Sequence, residues 1–210
     1  DALEALELRG GIPIRAAMEW QQGQESLRVV HLPLDGVGLT FRGFLEQDGD
    51  RPSFPYPVEH IQGSLVLANH ALSFAGQGKM GGAPAHFDGG LQFAKEPVGI
   101  QVDFSVVGLP LDARITSALG GTPEAAAIWR DLGGPKDGSA NFQFSLRKAP
   151  LASKSDLRLL GELHGASLKP RFLPISVVAD AVDIEWRPGS ARFSGDIHAL
   201  GGSGVLWGEA

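Results

Sequence analysis

Apolar and polar residues alternate along much of this chain with the period of a β-strand. The clearest stretch is residues 98–106, VGIQVDFSV. Val98, Ile100, Val102, Phe104 and Val106 fall on one face, and Gly99, Gln101, Asp103 and Ser105 on the other. Successive strand side chains point to opposite faces, so this pattern predicts one dry side and one wet side. Residues 140–146 repeat it, with Ala140, Phe142, Phe144 and Leu146 opposite Asn141, Gln143 and Ser145. Weaker alternations at 12–20, 65–74, 87–93, 182–186 and 191–197 predict further strands. Clusters of Gly, Asn, Asp or Pro separate them, as hairpin turns require.

A helical period interrupts this pattern over residues 122–132. Thr122 suits an N-cap, Pro123 the first helical position, and Glu124 the positive end of the helix dipole. Ala125, Ile128, Trp129 and Leu132 then form one apolar stripe, and Gly133, Gly134 and Pro135 end it. Residues 111–119, LDARITSAL, predict a second short helix. The opening ALEALELRGG has the look of the tail of an equivalent helix from an earlier unit.

Composition sharpens the β assignment. Gly supplies 29 of 210 residues, about twice the usual ~7%, and shows no collagen-like period, which points to many turns, bulges and close backbone approaches. Hydrophobic residues make up 43% and charged residues 20%, enough for a substantial core. The net charge is −6 and the 18 Lys and Arg are scattered singly. That argues against nucleic-acid binding, which draws affinity from a basic stripe, and against docking on an anionic membrane through a polybasic patch. The absence of cysteine excludes disulfides, thiolate metal sites and a Cys nucleophile. No apolar run approaches the ~20 residues of a membrane-spanning helix. The start, DALEALELRGG, has neither an initiator Met nor a basic leader, so the chain reads as a segment of something longer.

The chain also matches itself. Residues 72–89 align without gaps on 191–208, bringing Phe74, Gly76, Gly82 and Gly89 onto Phe193, Gly195, Gly201 and Gly208. Further matches keep the same order: Gly11 with Gly138, Leu27 and Arg28 with Leu157 and Arg158, Pro57 with Pro174, and Leu34, Gly36 and Leu39 with Leu163, Gly165 and Leu168. These imply nearly two copies of a unit of about 120 residues. The expected organisation is a tail of a preceding repeat at 1–10, a first β-repeat at 11–137 with its helix at 122–132, and an incomplete second β-repeat at 138–210.

The residues of this repeat carry a resemblance. FPYPVEHIQGSLVLANHALSFAGQGKMGGAPAHFDGGLQF, then LPLDARITSAL and IWRDLGGPKDGSANFQFSL, resembles the repeated β region of bacterial AsmA-like proteins. The matching positions are Phe54, Pro55, Tyr56, Pro57, Gly63, the Leu109-Pro110-Leu111-Asp112 helix opening, Trp129, and Pro135 with Gly138. Lys136-Asp137 puts two residues where the family pattern has one, and the second copy, RFLPISVVADAV, lacks the Tyr and the following Gly. The resemblance implies an envelope protein on the periplasmic side of the bacterial inner membrane. Its membrane contact would lie in parts outside this segment. It also implies a likeness to bridge-like lipid-transfer proteins, whose curved sheet forms an apolar trough for acyl chains.

The remaining motifs fit plain structural roles. Gly76, Gly78 and Gly81 spell G-x-G-x-x-G, but a dinucleotide site needs that motif between a strand and a helix, and APAHFDGGLQF follows. A β-turn with a bulge is the expectation here. His31, His60, His70, His86, His164 and His198 show no i,i+4 zinc spacing, so exposed or singly hydrogen-bonded histidines are expected. Asp48 and Asp50, and Asp180 and Asp183, fit turn chemistry better than calcium binding or acid–base work. No serine has a nucleophile-elbow context.

The expectation is therefore a mainly β protein. It would be a long curved antiparallel sheet or groove built from repeats, with one or two short helices, neighbouring repeats of the same chain as partners, and no catalytic residues, metal or cofactor. Phospholipid or another acyl-chain ligand would lie along Val98, Ile100, Val102, Phe104, Val106, Phe142, Phe144 and Leu146. The same faces could instead close a structural or adhesive β-sandwich array. A glycan-binding β-domain is the other alternative, drawing on Tyr56, Trp20, Trp129, Trp186 and Trp207.

Overall fold

The computed structural model describes residues 6–11, 15–18, 28–42, 54–68, 70–93, 98–120, 123–152 and 155–209. Strands β1 (Leu6–Arg9), β2 (Arg15–Met18), β3 (Arg28–Phe41), β4 (Phe54–Ala68), β5 (Ala71–Met80), β6 (Ala83–Gln92) and β7 (Gly99–Pro110) come first. Helices α1 (Ala113–Leu119) and α2 (Pro123–Asp131) follow. The chain then returns to strands β8 (Ser139–Lys148), β9 (Asp156–Leu168), β10 (Val177–Arg187), β11 (Ser190–Ala199) and β12 (Gly202–Glu209). All belong to one antiparallel, open, curved 12-stranded sheet, and β3 to β12 stand side by side in chain order. β1 and β2 both pair with β3, at its end and its start respectively.

The strongest alternations became strands β7 and β8, and those at 87–93, 182–186 and 191–197 lie in β6, β10 and β11. Residues 65–74 form no single strand. They fold as a hairpin, because β4 ends at Ala68 and β5 begins at Ala71, with His70 in the turn between. Of the stretch 12–20, Arg15–Met18 is a strand, and Ile12 and Trp20 lie outside the described residues. The helix-tail reading of the opening is corrected at Leu6–Arg9, a strand registered against Phe41 to Gly38.

Both short helices are present. Asp112 caps α1 by accepting from the Arg114 and Ile115 amides at 2.9 and 3.4 Å. At the end of α2, Gly134 N–H reaches Trp129 C=O at 2.8 Å and Gly133 N–H reaches Arg130 C=O at 3.0 Å. Gly133 has φ +84, so this end is a Schellman motif. Thr122, the expected cap of α2, lies outside the described residues, as do Asp48 and Asp50. The connection after β9 locks the helix pair in place: Lys169 and Arg171 amides donate to the Leu132 and Asp131 carbonyls.

The two series of strands match in backbone detail. β2-β3-β4-β5-β6 and β8-β9-β10-β11-β12 run in the same antiparallel order. Gly36 in β3 and Gly165 in β9 both have positive φ. Arg9 pairs with Gly38 just as Lys136 bridges Ser167. The hairpins Gly81-Gly82 and Leu200-Gly201 both take the positive-φ pair that a two-residue type I′ turn needs. Pro57 and Pro174 differ, since Pro57 lies inside β4 and Pro174 precedes β10.

Glycine's abundance has a specific use in this sheet. Phe74 stands opposite Gly89, Phe87 opposite Gly76, Phe142 opposite Gly161, and Phe193 opposite Gly208. In each pair a Cβ on the glycine would run into the facing ring. The rings therefore lie flat across the neighbouring strand, covering backbone that glycine leaves bare.

Candidate functional site

Register alone assembles the apolar face. From β6 to β9 one row reads Gly89, Val102, Leu146 and Leu157. The next reads Phe87, Phe104, Phe144 and Leu159, and the next Ala85, Val106, Phe142 and Gly161. Directly paired residues share a face, so these rows lie on one side of the sheet. Beyond them the face continues through Leu72, Leu65 and Leu32 in one direction and through Ile184 and Phe193 in the other. Asp88, Asp103, Ser145 and Arg158 share the opposite face, where the Arg147 guanidinium also holds the Asp103 carboxylate.

Burial varies along the apolar face, and away from the helix end Leu91, Leu146 and Trp186 are buried among half-buried neighbours. At the helix end, Ile61, Ala85, Leu109, Ala140 and Leu163 are fully covered, and they pack with Ile115, Ala118, Trp129 and Leu132. The Trp129 indole N–H donates to the Thr116 hydroxyl at 3.0 Å and joins the two helices. Away from the helices, Leu65, Phe74, Phe87, Ile100, Val102, Phe104, Phe144 and Leu159 are only half-buried, and Leu67 is exposed. Among the described residues no second sheet lies over them.

All eight residues singled out in the sequence are therefore accounted for. Ile100, Val102, Phe104 and Phe144 lie in the half-buried part, and Val106, Phe142 and Leu146 are buried. Val98 is half-buried just ahead of β7. The row is less uniform than the alternation suggested, because Lys148 stands opposite Ile100 at the open end. Sequence reasoning missed Leu65, Phe74, Leu157, Leu159 and Phe193 as members of this face. Phe74 and Phe193 carried a signal, since the repeat alignment superposed them.

The helix end has the more perturbed electrostatics. The Arg114 guanidinium donates to Asp112, and that ion pair holds the Asp112 carboxyl below the usual carboxylate range. Arg114 also sits 5.5 Å from the Tyr56 ring centroid. Tyr56 is buried, and among the described residues its hydroxyl has no hydrogen-bond partner. Burial pushes its pKa up, the Asp112 carboxylate adds to the rise, and Arg114 opposes it.

The remaining motifs have plain positions. Gly76 and Gly78 lie within β5 and Gly81 in the hairpin turn, so the G-x-G-x-x-G stretch runs from strand to strand. The register with β6 is unbroken from Ala71 to Met80, and the irregularity lies on the other side of β5, where His60 and Ile61 of β4 stand against Gly78. His198 pairs with Asp180 at 2.9 Å. His164 contacts both Glu162 and Asn141, one partner more than the single bond expected. His86 lines a shallow depression of about 370 Å³ on the polar face with Asp88, Asp103, Gln143 and Arg158. Among the described residues no three His, Asp or Glu come together as metal ligands, and no helix is long and apolar enough to cross a membrane. Comparison with family models, with curated proteins and with solved structures returns no match to this chain.

Proposed function

We propose that the half-buried apolar face holds lipid acyl chains and that the chain is a stretch of lipid-conducting wall in a bacterial envelope protein. The observation that carries this reading is the face itself. It is continuous across β3 to β12, has no second layer above it among the described residues, and is covered by helices at one end only. Ten strands at ~4.8 Å spacing give a surface of roughly 45 Å, and each methylene laid on it and taken from water contributes about 0.8 kcal/mol. The half-buried stretch through Leu65, Phe74, Val102 and Phe144 presents side chains that need no hydrogen-bond partner, so an acyl chain could slide along it without leaving a polar group unpaired.

The AsmA-like resemblance supports the same reading and adds the setting. The chain would face the periplasm, be continued by neighbouring repeats, and be held at the inner membrane by parts outside this segment. Phospholipid is the proposed ligand, and the role requires neither cofactor nor chemistry.

Native mass spectrometry of the purified chain should detect co-purified phospholipid. A photo-crosslinking amino acid at position 104 should capture acyl chains, while the same group at position 143, on the polar face, should not. Equal capture at both positions, or none at 104, would count against a lipid-binding face.

A further inference from the structure

We propose that Lys148 binds the phosphate of a phospholipid whose acyl chain lies on the apolar face, giving that face a preference for phosphate-bearing lipids. It rests on the acyl-chain reading of the face and names the group that holds the headgroup. At the paired positions of β4 to β12, the apolar face carries an apolar residue or glycine everywhere except at Lys148. Strand alternation puts Lys148 there, since it follows Phe142, Phe144 and Leu146 on β8 and stands opposite Ile100.

The Lys148 amine has no counter-ion on this face. Arg147, the preceding residue, lies on the polar face, where the Asp103 carboxylate holds it. Asp156 stands opposite Arg147 on that same polar side. Lys148 is half-buried, and among the described residues it has neither an ion pair nor a hydrogen-bond partner. A partly desolvated ammonium without an anion is costly, and a phosphate oxygen relieves that cost through a charge-assisted hydrogen bond. The position suits a headgroup as well. Lys148 ends β8 on the side away from the helices, so a phosphate held there meets water while the chain runs inward. Opposite it, Ile100, Val102 and Phe104 are all half-buried, and Val106, next on the same face, is buried at the helix end. At ~3.4 Å per residue, Ile100 to Phe104 spans roughly 14 Å, close to half the ~30 Å hydrocarbon core of a bilayer, the depth of one acyl layer. The half-buried stretch therefore has the length of one acyl chain laid along the strand with its phosphate at Lys148.

The test uses the 210-residue chain and two probes that share one fluorescent acyl chain, phosphatidylglycerol and uncharged diacylglycerol. Lys148→Gln should weaken phosphatidylglycerol binding roughly tenfold, the loss of one charge-assisted hydrogen bond, and Lys148→Arg should restore it. Diacylglycerol affinity should be the same in all three proteins, which general damage to the sheet would not allow. Millimolar inorganic phosphate should not displace phosphatidylglycerol, because Lys148 alone does not hold a free ion against water. Displacement as large as the Lys148→Gln effect would overturn the headgroup assignment in favour of a free-anion site. Parallel loss of both probes in Lys148→Gln would make the residue structural and would also overturn it. Equal phosphatidylglycerol affinity in wild type and Lys148→Gln, with diacylglycerol still bound, overturns the role of Lys148 and leaves the acyl-chain reading standing. Binding of neither probe to the wild type overturns both.

Discussion

Val102 and Val106 lie on the same strand and the same face, yet they differ in cover. Val106 is 1% exposed beneath the helix end, and Val102 is half-buried beyond it. Replacing each with Asp separates an open face from a closed core. At Val106 the change loses about 2 kcal/mol of apolar burial. Keeping the new carboxyl protonated at pH 7, some three pKa units above its normal value, costs about 4 kcal/mol more. A loss of roughly 6 kcal/mol reaches the lower range of whole-domain stabilities. At Val102 about half the burial is lost and the carboxylate can turn to water, so roughly 1–2 kcal/mol is expected. In urea, with a slope of about 2 kcal/mol/M, the midpoints of the two variants should lie roughly 2 M apart. The Val106→Asp protein should also gain stability as pH is lowered from 7 toward 5, because its raised pKa makes the folded state the better proton binder. Equal losses at the two positions would refute the division of this face into covered and open parts.

Two further outcomes follow from local geometry. Asp112→Ala should cost about 1 kcal/mol by removing the α1 cap. Because Arg114 and the capping amides depress the Asp112 pKa, the stability it supplies is present above the ordinary carboxylate range and is lost as pH falls through the folded-state pKa. The gap between wild type and Asp112→Ala in urea titrations should therefore be full at pH 7 and narrow progressively in strong acid. Leu200 is 91% exposed with φ +50, and it holds the turn position that Gly81 fills in the other hairpin. Leu200→Asn should relieve about 1 kcal/mol and raise the thermal midpoint by roughly 2–4 °C in a calorimetric scan.

The alternation in 98–106 and 140–146 was sufficient to determine β7, β8 and the face they share, because a period of two leaves a half-buried strand few alternatives. The same held for α2, whose apolar stripe and Gly-Gly-Pro stop act within the helix itself. The self-match of the sequence fell on glycines and phenylalanines that are turn residues and ring-over-glycine pairs in the sheet.

Tertiary structure decided what alternation cannot carry. Residues 65–74 hold apolar residues on both sides of a turn, so only strand pairing shows that they form a hairpin. Leu6–Arg9 has a helix-like composition, but its backbone bonds go to β3, and those bonds outweigh a propensity worth tenths of a kcal/mol per residue. Val102 and Val106 are identical residues in one alternating run, and nothing local distinguishes them. Their difference in burial comes from α1 and α2 packing over one end of the sheet, a contact between segments distant in the chain that no local period encodes.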